Sequence, residues 1–164
     1  MGEDGDLRAA KEAGLTYIAY QSRSIREVRD KLSGKGFNAD IIDVVIERFV
    51  ELGYLNDRRF AAEWVESVAG SKLWGKRRIA KGLIAKGVKR GIVDDAVGQL
   101  DDAREAATAR SALQAWRRRR SGKNCTTLQT RSAAYRHLVM KGFSTETVST
   151  VVDELLKERD IDEG

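Results

Sequence analysis

Aligned on three Lys-Gly dipeptides, Lys35-Gly36, Lys86-Gly87 and Lys141-Gly142, the chain carries one apolar pattern three times. A leucine precedes each glycine by four residues (Leu32, Leu83, Leu138), and an aliphatic residue precedes it by eight (Val28, Ile79, Ala134). Phe37, Val88 or Phe143 follows the glycine directly. Beyond it come Ile42, Val45, Ile46 and Phe49 in the first copy, and Val93, Ala96, Val97 and Leu100 in the second. The third copy has Val148, Val151, Val152 and Leu155. Steps of three and four residues gather side chains on one face of a helix. Each copy therefore predicts one helix that ends at Lys-Gly and another that follows.

The end signals agree with that reading. Glycine adopts the left-handed conformation after a helix at little cost, and lysine complements the dipole there. Ser24-Ile-Arg-Glu27 and Thr126-Thr-Leu-Gln129 have the form of capping boxes. The following helices are expected to start near Asn38, near Lys89 and at Ser144. Ahead of each pair a further helix is predicted, over residues 6–21, 57–68 and 101–119, with Asp57 as the cap of the second. The chain contains no proline, which suits long runs of helix. The expected fold is all-α, three tandem three-helix repeats over residues 1–56, 57–100 and 101–164. A unit of this size makes a marginal core alone and gains burial by stacking on its neighbours. An elongated, curved array is the expected result.

Charge changes the picture from scaffold to binding surface. From Ser71 to Gly91 the chain has eight basic residues and no acid: Lys72, Lys76, Arg77, Arg78, Lys81, Lys86, Lys89 and Arg90. From Ala106 to Thr145 it has nine more, again without an acid: Arg110, Arg117, Arg118, Arg119, Arg120, Lys123, Arg131, Arg136 and Lys141. The other 13 cations share the rest of the chain with all 25 acids. Such polarity draws polyanions to one part of a molecule. Trp116 stands directly before Arg117-Arg-Arg-Arg120, and Trp74 before Lys76-Arg-Arg78. An aromatic face beside phosphate-neutralising charge suits nucleic acid or a nucleoprotein, so both indoles are candidates for stacking. Trp116 also reads as core for its own helix. Trp64 reads as packing.

Catalytic chemistry finds no foothold. His137 is the sole histidine and Cys125 the sole cysteine, and nothing in the spacing brings them together with an orienting group. One histidine with scattered carboxylates has no metal-ligand spacing. Gly70-Ser-Lys-Leu-Trp-Gly75-Lys76 is followed by Arg77 where a phosphate loop requires Ser or Thr. No run of apolar residues is long enough to span a membrane, and the acidic start Met1-Gly-Glu-Asp-Gly-Asp6 has no signal-peptide form. The expectation is a cytosolic, monomeric, non-enzymatic protein with no cofactor and no metal.

Gly53-Tyr-Leu-Asn-Asp57-Arg-Arg-Phe60-Ala61 resembles the Gly-Tyr-Leu-Asp-Asp-x-Arg-Phe-Ala segment of the RecX family, regulators of the bacterial recombinase RecA. The stretch from Arg23 through Glu27, Val28, Lys31 and Leu32 to Phe37 is similar to that family's first helix pair. The stretch from Gly75 through Arg78, Ile79 and Leu83 to Val88 is similar to its second. Asn56 replaces the usual acid, and Gly82 stands where glutamate is common. The resemblance implies a protein that lodges in the groove of the RecA filament on single-stranded DNA and restrains it, modulating DNA repair and recombination. With it, the expected contact residues are Lys72, Lys76, Arg77, Arg78, Lys81, Lys89, Arg90, Arg117, Arg118, Arg119, Arg120, Lys123, Arg131 and Arg136. Weak direct DNA binding is expected beside it. The competing reading is a stand-alone helical DNA-binding protein. It is disfavoured because the helices that would read a groove, 40–52, 92–100 and 146–157, are acidic.

Overall fold

The computed structural model describes residues 3–120 and 127–162. Among the described residues there are nine helices and no strand. They are α1 (Glu3–Ala19), α2 (Ile25–Gly34), α3 (Ala39–Glu51), α4 (Asp57–Lys72), α5 (Lys76–Ala85), α6 (Arg90–Gly98), α7 (Asp102–Arg120), α8 (Thr127–Met140) and α9 (Thr145–Asp162). The fold is all-α and built of tandem three-helix domains, as the repeated pattern predicts. Two compact units divide it, Met1–Glu63 with Leu83–Val93 and Trp64–Gly82 with Asp94–Gly164.

The predicted apolar positions form the core. In the first unit Val28, Leu32, Ile42, Val45, Ile46, Phe49 and Leu55 cluster with Ala10. Gly14 lets α1 approach α3, because a Cβ there would lie 2.7 Å from the Phe49 ring. In the second unit Ala109, Ala112 and Leu113 pack with Ala134, Leu138, Phe143, Val148, Val151, Val152 and Leu155. Ile79, Leu83, Val88, Val93 and Leu100 are buried as well. Each large aliphatic or aromatic side chain so buried contributes roughly 1.5–3 kcal/mol.

Helix ends follow their local chemistry. Gly36, Gly87 and Gly142 all take positive φ, at 88°, 79° and 87°. Ser24 caps α2 in a full capping box with Glu27, and Asn38 caps α3. Ser144 Oγ accepts from the Thr147 N–H at 3.1 Å. The expected box at Thr126 lies outside the described residues. One cap is corrected. Asn56, not Asp57, caps α4, its side-chain oxygen accepting from the Arg59 N–H at 3.0 Å. Asp57 instead accepts from the Ile25 N–H at 2.9 Å and so anchors the start of α2. Helix α1 begins earlier than its apolar pattern indicates, at Glu3.

Candidate nucleoprotein interface

The site grows from the way helix starts meet Lys-Gly turns. In the first unit the turn that opens α2 meets Lys86-Gly87, where Ser24 Oγ donates to the Lys86 carbonyl at 2.6 Å. In the second unit the turn that opens α5 meets Lys141-Gly142. There the Gly75 N–H donates to the Lys141 carbonyl at 2.9 Å and the Arg77 N–H to the Gly142 carbonyl at 3.0 Å. A Cβ on Gly75 would stand 2.5 Å from the Gly142 oxygen, so only glycine permits this approach. The approach brings the cations of α5 beside the end of α8.

Around that contact the second unit gathers aromatic rings and positive charge. Trp74 carries Lys72 Nζ at 4.8 Å and the Arg78 guanidinium at 4.5 Å over its ring, each favourable through the ring quadrupole. Trp64 meets Trp74 edge-on at 6.0 Å. It lies against Gly82, where any Cβ would strike its ring, so the glycine at this position makes room for the indole. Arg78 Nη1 donates to the Met140 carbonyl at 3.3 Å, and Lys141 Nζ to the Lys72 carbonyl at 2.7 Å. Trp116 stacks on His137 at 5.8 Å, and Arg120 lies over Trp116 at 5.0 Å.

Electrostatics tie these groups into one cluster. Burial pushes the Lys141 ammonium below its ordinary range, and the charges of Arg78 and Arg119 push it further. Burial likewise lowers His137, helped by Lys141 and Arg119. Lys141 thus feels the charges of Arg78, from the α5 start, and of Arg119, from the end of α7. The cations beside Trp74 and Trp116 are held by ring faces and carbonyl oxygens.

The remaining predicted contacts divide. Lys76 pairs with Asp102 at 2.8 Å, and its N–H donates to the buried Glu105 carboxylate at 3.2 Å. Arg131 pairs with Asp153 at 2.8 Å. Both charges are met by acids of the fold. Arg77, Lys81, Arg117, Arg118, Arg119, Arg120 and Arg136 are exposed in the second unit. Lys89 and Arg90 are exposed in the first unit. Lys123 lies outside the described residues. Sequence reasoning missed His137, Trp64 and Lys141 as members. Lys141 stood in the sequence as a helix end and one cation of an acid-free window, outside the expected contact set.

The helices that a groove reader would present are acidic on their outer face, with Asp40, Asp43, Glu47 and Glu51 of α3 exposed. Among the described residues no three or more His, Cys, Asp or Glu side chains are grouped to hold a metal. Nor is any helix there long and apolar enough to cross a membrane.

Comparison with known proteins matches residues 10–49 to the first three-helix domain of RecX. Residues 56–97 match its second three-helix domain. The regulatory protein RecX of Prosthecochloris aestuarii is 30% identical over 93% of this chain and 97% of its own. That of Streptomyces lividans is 33% identical over 93% of this chain and 80% of its own. The crystal structure of RecX from Lactobacillus salivarius superposes with a TM-score of 0.81 at 26% identity, over 93% of this chain and 97% of that one.

Proposed function

The chain belongs to the RecX family of regulatory proteins, and on that premise we propose that it binds the RecA filament on single-stranded DNA and restrains it, acting by contact and not by catalysis. In this reading it lodges in the filament groove as a cytoplasmic monomer without cofactor, and so modulates DNA repair and recombination. One observation carries the proposal. Lys72, Arg78, Lys141, Arg119 and Arg120 collect around Trp74, Trp116 and His137 in a single unit. Nucleoprotein offers acidic side chains, phosphates and unstacked bases together, and this cluster complements all three.

The test sets RecA ATP hydrolysis on single-stranded DNA, with and without the protein, beside its direct binding to bare DNA. The reading expects hydrolysis to fall with added protein while bare DNA binds weakly. Tight, sequence-selective binding to bare duplex with unaltered hydrolysis would favour the stand-alone DNA-binding protein instead.

A further inference from the structure

The two helix-start junctions are built alike and differ in one charge. The repeat alignment sets Ser24 against Gly75, Glu27 against Arg78, and Lys86 against Lys141. At the first junction Lys86 Nζ meets Glu27 Oε1 at 2.6 Å, with the two side chains only 29% and 18% exposed. Arg23 lies at the same carboxylate at 3.9 Å. The lysine of the turn therefore has its counter-charge within the chain.

The second junction keeps the lysine and exchanges the carboxylate for a guanidinium. Lys141 and Arg78 turn to backbone carbonyls, of Lys72 and Met140. Carbonyls satisfy donors but do not cancel charge, and Arg119 adds a third cation to the neighbourhood. An ammonium has three donors and a guanidinium five, so the bonds to Lys72 and Met140, the ones found among the described residues, leave capacity on both. Lys141 is half-buried while Arg78 and Arg119 are exposed, and among the described residues no acid is paired with Lys141 or Arg78, so their like charges repel without local compensation. Here they coincide with the position where the sister junction holds an anion.

We propose that the second junction is a receptor for a phosphate group, held by Lys141 and Arg78 where the first junction has the Glu27 carboxylate, with Arg119 and Lys72 at its margin. Phosphate suits this donor set better than a carboxylate or chloride. Its several oxygens and larger charge match a planar guanidinium fork and a point-like ammonium together. The helix-start amides take no part, since those of Gly75, Lys76 and Arg77 are already bonded to Lys141, Glu105 and Gly142. The site is a side-chain site, and it requires only phosphate, whatever the larger assembly.

The experiment titrates the untagged chain with sodium phosphate against sodium chloride at equal ionic strength. It follows the thermal midpoint and the imidazole resonances of His137, the one histidine. Phosphate should raise the midpoint beyond the chloride control and raise the His137 pKa, because a bound anion offsets Lys141 and Arg119. Arg78→Glu should raise the midpoint before any phosphate is added and weaken the phosphate response by about tenfold. Arg78→Gln, which restores no carboxylate, should weaken the response without that gain, and it keeps the test open if the glutamate variant does not fold. Equal responses to phosphate and chloride, or full responses in both variants, overturn the proposal. A parallel titration with oligothymidylate separates the sources. Saturation at lower phosphate-equivalent concentration than inorganic phosphate assigns a nucleic-acid backbone, the reverse order assigns free phosphate, and each outcome supports the receptor. No recombinase is present in either arm, so a failure here leaves the filament reading standing.

Discussion

The imidazole of His137 lies stacked on the indole of Trp116, with centroids 5.8 Å apart and planes inclined by 27°. Burial, Lys141 and Arg119 all oppose its protonation. A group whose folded pKa lies below its unfolded value takes up more protons when unfolded. Stability therefore rises with pH through the titration and is lost as the pH falls below about 6.5, the ordinary imidazole value. Urea unfolding of the wild type should show this loss on acidification, and His137→Gln should abolish that part of it. A folded-state His137 titration at or above the ordinary value would contradict the packing described.

The Glu27–Lys86 pair makes a second prediction. Burial tends to raise the Glu27 carboxyl. The Lys86 hydrogen bond, the Ser24 amide and the charges of Lys86 and Arg23 outweigh it and hold the group below its ordinary 4.5. The stability so gained is present above that pH and lost as the pH falls through the depressed folded value. Glu27→Ala removes both the capping box and the counter-charge of Lys86, and should cost about 2–4 kcal/mol at neutral pH in chemical denaturation. A cost near zero would show that the junction is not closed as described.

Gly36 and Gly142 share nearly the same backbone, with φ of 88° and 87°, but not the same surroundings. Nothing lies within 4 Å of a Cβ added at Gly36, whereas one at Gly142 would run into the backbone of Arg78. Gly36→Ala should therefore cost only the left-handed strain, about 1 kcal/mol. Gly142→Ala must also push α5 away and should cost roughly 3 kcal/mol or more. Equal costs, compared by thermal or urea unfolding, would contradict the close contact.

Local signals were legible in the chain, and contacts across long separations were not. The steps of three and four residues around each Lys-Gly predicted buried Val28, Leu32, Phe49, Leu138 and Val152, because a helix converts spacing directly into a face. Ser24 and Glu27 announced their capping box for the same reason. Asp57 misled, since helix-start preference does not tell which helix a carboxylate will serve. Acid-free windows measured charge only along the chain. They could not reveal that Lys76 finds Asp102 and Arg131 finds Asp153 once the helices pack. Nor could they place the start of α5 against Lys141 and Gly142, or Trp64 beside Trp74 and Trp116 beside His137.

On the proposed function, the aromatic-cation cluster is what docks on the filament. The direct measurement is the affinity of the chain for RecA filaments on single-stranded DNA across a range of salt concentrations, beside a variant carrying Lys72→Gln, Arg78→Gln, Arg119→Gln and Arg120→Gln with its helix content unchanged. Neutralising charges that meet an anionic partner should weaken binding by about tenfold or more at low salt and flatten its salt dependence. Wild-type affinity and slope in that variant would place the docking surface elsewhere on the chain.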